Sequence, residues 1–596
     1  MRPAAVTPAE DRLPMAAVGL IWAATAAAVA IMHWADLDEA FGSPDNAMRL
    51  AQVHVFLDGA PWFDPHEPRL WPPTGYDTHW SRLLDAGIAG LVVLFRQVAS
   101  PDLSERLARA VWPLLLSGPA VVASYASALR LGGAGAGRAT LVGALFALLM
   151  IPGIFRPGEI DHHNAQVMLT AVMMAFVLWC EDAPRFAAAA GIAGGLLLGV
   201  GLEAAALLVV VAAVLAMLVV YDPRWHATVR AFALALGGST VLAWLALTPS
   251  AFRFAPMCDE LGVNSAAAVL AGSLGLALVA SVGGAWTRPA RLGAMALTGA
   301  AALGVFAAFE PRCLKGPFGL VDQAILPLWL DNVREVQSVV GLIRGVGADG
   351  VVHLAFPCVV VASAFLVMWR GVRTPLAWAP LAALAVATAI AAGTIRMAMY
   401  VVWLGMPFVG VAVYALTERA RRPLLARMGA AALASQPVVS LAVIWAAAAI
   451  AAPMTKPASA APAPLWTLDV SNCFRPDLYR AVAALPPGLI FGALELGPSL
   501  LAFTPHSVVG AGYHRADKSI LFEEEVMRGS TGAARERIRA RGVAYVMTCA
   551  DFPAYPNPDA FYNALLTDKA GPWLEPVPLP PGNVLRVWRV RPFGKS

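Results

Sequence analysis

Thirteen apolar stretches dominate this chain: residues 14–34, 108–130, 138–155, 164–181, 186–203, 204–221, 228–248, 264–284, 290–309, 351–369, 376–393, 395–416 and 432–453. Each approaches the roughly 20 residues that a helix needs to cross a hydrocarbon core of about 30 Å. A soluble domain is nearer 45–50% apolar and about 25% charged. Here 59% of residues are hydrophobic and 14% charged. The expected class is therefore mostly α, a polytopic membrane helix bundle, and its chemistry must come from the segments between spans. The net charge of +4 is spread along the chain without a basic block, which excludes a nucleic-acid partner. Abundant Arg and Ala suggest a GC-rich bacterial genome.

Residues 84–99 form a further apolar stretch, interrupted by Asp85 and Arg96. If they do not cross, Arg130, Arg138, Arg185, Arg224, Arg230, Arg288, Arg291, Arg370, Arg373, Arg419, Arg421, Arg422 and Arg427 share one side with Arg2 and Arg12. Positively charged loops stay in the cytoplasm. This places the N-terminus inside and makes 84–99 an amphipathic or re-entrant piece in the outer leaflet. The first span lacks a small-residue cleavage site and reads as an anchor. Segments 35–107, 310–350 and 454–596 then lie outside, with the short 156–163. The division expected is a transmembrane domain over 1–453 and a periplasmic α/β domain over 454–596. Its linker is 454–464, its strand-like runs Leu489–Gly492, Ala544–Thr548 and Val584–Val590, and its helix-like run Ala533–Arg541. Cys258, Cys313, Cys473 and Cys549 fall outside, where oxidation is permitted. They read either as the pairs Cys258–Cys313 and Cys473–Cys549 or as four free thiols.

Four groups carry chemistry. In GSPDNAMRL (42–50), Asp45 and Arg49 are four apart and share a helix face. Downstream, WFDPHEPRLWPPTGYDTHWSRLLD (62–85) is aromatic, polar and proline-rich, suited to a sugar or phosphate headgroup. His79, Trp80 and Arg82 are its substrate-contact candidates. RPGEIDHHNAQ (156–166) holds Glu159, Asp161, His162 and His163 between two spans. A charged side chain at the bilayer centre costs about 2.5–3.5 kcal/mol on insertion scales. The cluster therefore belongs at the surface or in a polar cavity, and carboxylate with imidazole suits Mn²⁺, Mg²⁺ or Zn²⁺. DNVREVQS (331–338) offers Glu335 as ligand or base. TIRMAMY (394–400) places Arg396 at the start of a span, where a guanidinium can clamp a phosphate. Glu203, at the outer end of another span, and His514 in GAGYHR are further substrate-contact candidates.

In this order the groups resemble the catalytic subunit of oligosaccharyltransferase and its bacterial and archaeal single-chain relatives, membrane glycosyltransferases of the GT-C superfamily. The resemblance spans about residues 10–455. It matches Asp45 to the acidic motif of the first outer loop and Asp161 to the second Asp-containing motif. Glu335 matches the Glu of the long outer loop and Arg396 the Arg of a later span. Two features depart from the family. His163 stands where a second acidic residue is usual, and no Trp-Trp-Asp signature occurs in 454–596, which argues against reading of an Asn-X-Ser/Thr sequon.

The resemblance implies a glycosyltransferase on the periplasmic face of the bacterial inner membrane. It would move a sugar or glycan from a polyprenyl-phosphate or -diphosphate donor to a lipid, glycan or protein acceptor. The catalytic residues expected are Asp45, Asp161 and Glu335. The same three with His163 would hold a divalent cation, Mn²⁺ or Mg²⁺, while Arg396 and Arg49 bind donor phosphate. The alternatives are an oligosaccharide-to-protein transferase, a metal-independent polysaccharide polymerase or ligase, and a carrier for lipid-linked sugar.

Overall fold

The structure, a computed structural model, describes residues 12–39, 43–150, 153–346, 348–372, 374–420, 422–451 and 470–592. The linker expected at 454–464 lies outside them, as does the expected domain boundary.

A helix lies on each of the thirteen apolar stretches. Eight are long and apolar enough to cross a membrane: Met15–Met32, Pro101–Gly132, Pro223–Leu247, Val263–Ala285, Arg288–Phe309, Gly350–Trp369, Pro375–Gly393 and Ile395–Thr417. Four more, Ala134–Met150, His163–Trp179, Pro184–Val200 and Ala205–Tyr221, have 17 residues each, the lower end of the spanning range. The last stretch departs from expectation. Its helix, Gln436–Ala451, is only 16 residues long, and its segment Gln436–Ala446 lies at 57° to the preceding helix Pro423–Leu433, which the expected span left out. Residues 84–99 contain no span either: the helix there is Arg82–Phe95, only about 21 Å long at 1.5 Å per residue.

At one end of the bundle, the segment after the first span and the C-terminal residues build one core. Ala47, Met48, Leu50, Leu70, Tyr76, Trp80 and Ile88 pack with Ile490, Phe491, Leu500, Val508 and Tyr513. The C-terminal sheet runs in the order Ser507–Val508, Leu489–Gly492, Tyr545–Cys549, Leu585–Val590, Leu574–Val577. Its first three strands are parallel and its last two antiparallel to their neighbours. The expected strands and the helix, observed at Thr531–Ala540, fall within two residues of their places. The 62–85 loop docks on this sheet: Trp71 N donates to Val508 O at 2.9 Å and Val508 N to Arg69 O at 2.8 Å. Arg541 lies 3.6 Å over Trp71. Trp71 therefore serves domain packing, not a headgroup. Both cysteine pairs, Cys258–Cys313 and Cys473–Cys549, are bonded.

Arg49, expected to bind donor phosphate, is instead taken up inside the fold. Its side chain is fully buried and donates to Asp85 Oδ1 at 2.7 Å. Arg82 donates to the other oxygen of Asp85 at 3.1 Å, and Arg49 lies 4.6 Å over the Trp80 ring. This buried triad bolts the helix Pro44–Leu57 to the helix Arg82–Phe95. It removes Arg49 and Arg82 from the pool of phosphate or substrate contacts. Truncating one partner of a buried ion pair strands the others, at about 3–5 kcal/mol. Asp85→Ala is therefore expected to lower the thermal midpoint of the detergent-purified protein sharply. The double variant Arg49→Met, Asp85→Leu should recover part of that loss. Equal stability of Asp85→Ala and wild type would show the triad to be dispensable.

Candidate active site

The site is assembled from the starts and ends of apolar helices, where polar groups remain accessible. Ser43 caps the helix Pro44–Leu57: its hydroxyl accepts from Asp45 N at 3.2 Å, and Pro44 sits at the first helical position. Asp45 thus lies in the first turn, where the helix dipole favours an anion. The next residue, Asn46, is fully buried. Its Oδ1 accepts from Ile160 N at 2.9 Å and Asp161 N at 3.1 Å, and its Nδ2 donates to Glu159 Oε2 at 2.8 Å. Asn46 clamps the 156–162 turn onto Asp45's helix. The turn itself needs Gly158, whose φ is +99°. Glu159 therefore serves as a partner of Asn46. Sequence reading passed over Asn46, although its place beside Asp45 was the available signal.

His163 opens the helix His163–Trp179. Its Nδ1 lies 3.1 Å from Glu203 Oε2. Its Nε2 faces Asp161 Oδ2 at 3.2 Å and Glu335 Oε2 at 3.8 Å, yet is buried with no hydrogen-bond partner. His162 Nδ1 lies 2.5 Å from Asp161 Oδ1. Tyr400, one turn beyond Arg396, donates to Glu203 Oε2 at 2.8 Å and Gln166 Oε1 at 3.3 Å. It too was missed by sequence reading. Gly201 lets these elements close up, because a Cβ there would stand 2.5 Å from Gln166 Nε2.

Glu335 comes from the long segment between spans. The backbone there is tied to the start of the next span by Thr394 Oγ1 donating to Glu335 O at 3.0 Å and Ile395 N to Gln337 O at 2.9 Å. Arg396 then donates through Nε and Nη2 to Glu335 Oε2 at 2.9 and 2.7 Å, with Glu203 Oε1 at 3.5 Å. Asp45, His162, Glu203, Glu335 and Arg396 line one cavity of about 660 Å³. Desolvation and the charges of Asp161 and Glu335 push Asp45 up to about 7. Burial raises Asp161 and Glu335, but their neighbours win: the His162 and His163 rings bring Asp161 well below its usual range, and Arg396 lowers Glu335.

These side chains suit a divalent cation. The ligand atoms of Asp161, His162 and His163 all lie within 4.8 Å of one another. The His163 Nδ1–Glu203 contact fixes the ring and aims the orphan Nε2 at two carboxylate oxygens, the arrangement by which outer carboxylates orient metal-binding imidazoles.

A second cluster lines the same cavity. His514 Nε2 lies 2.6 Å from Asp259 Oδ2, and the His79 and His514 rings are 4.5 Å apart. Arg515 donates to both oxygens of Asp259 at 2.7 and 2.8 Å, so this cluster is an ion-pair network with no carboxylate oxygen to spare for a metal. Trp80 links the clusters, with ring centroids 5.8 Å from His79, 5.9 Å from His162 and 5.4 Å from Tyr513. Asp259 and Tyr513 escaped the sequence reading; Asp259's only signal was its place next to Cys258.

No family model and no curated protein matches the chain. Solved structures do. The apo oligosaccharyltransferase of Archaeoglobus fulgidus superposes with a TM-score of 0.61 at 15% identity, over 90% of this chain and 69% of that one. The same archaeal enzyme, AglB, in complex with an inhibitory peptide and a dolichol-phosphate gives 0.59 at 15% identity over the same shares. Its complex with Zn and sulfate gives 0.55 at 15% identity, over 89% and 68%. The chain therefore has the fold of the GT-C membrane glycosyltransferases.

Proposed function

We propose that the chain is a glycosyltransferase of the inner membrane. It moves a sugar or glycan from a polyprenyl-phosphate or -diphosphate carrier to an acceptor on the periplasmic face, with a divalent cation. The observation that carries this reading is the convergence of Asp161, Glu203 and Glu335 on the buried ring of His163. Asp45, Asp161, His163 and Glu335 would hold the cation. Carboxylate oxygens mixed with one imidazole favour Mn²⁺ over Mg²⁺. When bound, the cation supplies charge neutralisation for the departing phosphate.

The chain's own groups do the rest. Arg396, anchored on Glu335 and Glu203, presents its guanidinium to a donor phosphate oxygen. Glu335 is committed to Arg396 through Oε2. Asp45 is therefore the carboxylate that accepts the proton of an attacking acceptor hydroxyl. The acceptor oxygen bonds to the anomeric carbon as the carbon–phosphate-oxygen bond breaks. The disulfides Cys258–Cys313 and Cys473–Cys549 support an oxidising compartment for this face. A carrier or a metal-independent polymerase leaves the His163 arrangement without a role.

Two results are expected with purified protein in detergent and a membrane-lipid extract as donor source. Asp161→Ala abolishes transfer without changing yield or melting, and chelation abolishes wild-type transfer until Mn²⁺ is restored. Transfer that survives both treatments refutes the cation site. Asn46→Ala, which frees the backbone of Asp161, is expected to weaken Mn²⁺ affinity about 10- to 100-fold, as loss of an outer-shell partner does. Unchanged titration would show that Asn46 does not position the site.

A further inference from the structure

The second cluster has no part in the transfer chemistry, although His79, Asp259 and His514 line the same cavity as Asp45 and Arg396. Arg515 donates to both oxygens of Asp259, at 2.7 and 2.8 Å, and its Nη2 lies 3.1 Å from Glu260 Oε1. Burial works against charge on Asp259, but the His514 hydrogen bond and the Arg515 charge outweigh it and hold the carboxyl well below its usual range. An ionised carboxylate only accepts. The nitrogen facing it, His514 Nε2 at 2.6 Å, therefore carries a proton and donates.

The ring's other nitrogen is left for a ligand. His514 Nδ1 bonds to no group among the described residues, and it is not sealed inside the protein: the little surface His514 keeps faces the cavity. The ring is wedged in this orientation. His79 packs on it with centroids 4.5 Å apart, and Phe318 meets it edge-on at 5.3 Å and 77°.

This atom selects what it binds. With His514 neutral, Nδ1 is a lone pair and needs a donor; with His514 protonated, it needs an acceptor. A carboxylate or phosphate satisfies only the second state, and an ammonium only the first. A hydroxyl satisfies both. Phe318 and Trp329 line the cavity as partly exposed aromatic rings, on which the C–H faces of a sugar pack as other apolar surfaces do. The two clusters also lie close. Trp80 stands between them, its ring centroid 5.8 Å from that of His79 and 5.9 Å from that of His162, the partner of Asp161.

We infer that the second cluster is a subsite that reads a sugar hydroxyl: His514 Nδ1 bonds the hydroxyl, and Asp259 is a positioning residue that acts through His514. The inference rests on the transferase reading above. The sugar is the one on the lipid carrier or the one on the acceptor, and the test separates the two.

The test is saturation-transfer NMR of the full chain in detergent with methyl glycosides of hexoses and pentoses and with their deoxy series. A glycoside is expected to bind wild type, and removal of one particular hydroxyl should weaken it about tenfold. His514→Gln keeps a donor to Asp259 near the place of Nε2 and has nothing near that of Nδ1. His514→Asn puts an amide oxygen near the place of Nδ1 and lets go of Asp259. Gln should weaken the glycoside about tenfold and Asn far less. Asp259→Ala should weaken the full glycoside and leave the affinity of the deoxy analogue unchanged, which a general loosening of the fold would not do. If Asp259→Ala fails to fold, the two His514 variants decide alone. Displacement of the glycoside by the membrane-lipid extract assigns the subsite to the carrier's sugar. A glycoside that itself gains the transferred mass assigns it to the acceptor. Binding of no glycoside, equal loss at every deoxy position, or tolerance of Gln with failure of Asn overturns the inference. The two readings fail separately. Asp161-dependent transfer without this binding pattern overturns the subsite alone, and the pattern without Asp161-dependent transfer overturns the transferase reading.

Discussion

Four carboxylates, Asp45, Asp161, Glu203 and Glu335, crowd around Arg396 and His163 at the mouth of an apolar bundle. Two like charges 4 Å apart repel by about 4 kcal/mol at an effective dielectric of about 20. The fold holds them together nonetheless, through helix starts, a glycine turn and the Asn46 clamp. Two long segments outside the bundle contribute to this crowding, Asp45 from 35–107 and Glu335 from 310–350. The result is a cluster in which carboxylates outnumber cationic side chains, the feature on which the proposed cation site rests.

The two halves of the outer structure depend on each other. The segment after the first span shares its core with the C-terminal sheet, and the buried Arg49–Asp85–Arg82 triad sets the angle of the helix that carries Asp45. The C-terminal domain is thus part of the wall of the site: Tyr513, His514 and Glu495 line the same cavity as Asp45 and Arg396. One chain thereby places two adjoining cavities side by side, both lined by Trp329 and Glu495.

Much of this was legible in the sequence, for a physical reason. Apolar runs long enough to span announce themselves, and carboxylates or histidines next to them are costly enough to stand out as site candidates. Asp45, Asp161, His163, Glu203, Glu335 and Arg396 were found in this way, and all six come together. Topology put four cysteines outside but left pairing and free thiols equally open, and the fold settles it by bonding Cys258 to Cys313 and Cys473 to Cys549. What escaped was partner choice. The four-residue spacing of Asp45 and Arg49 suggested a pair, but Asp85 lies closer in space and only the fold shows it. Asn46, Asp259, Tyr400 and Tyr513 are ordinary polar residues by type, and their roles arise from contacts across more than a hundred residues. The break at 434–435 falls at the start of the expected span 432–453, and Pro437 just after it marks where the second helix begins.

The proposed activity is Asp161-dependent transfer from a lipid carrier. Mass spectrometry of lipid-linked sugars, envelope glycolipids and exported glycoproteins tests it most directly. The comparison is a deletion strain of the source organism against the same strain carrying wild type or Asp161→Ala. The account predicts one glycan lighter by a defined sugar mass in the deletion strain, restored by wild type and not by Asp161→Ala. An unchanged glycan profile, or restoration by Asp161→Ala, would contradict it.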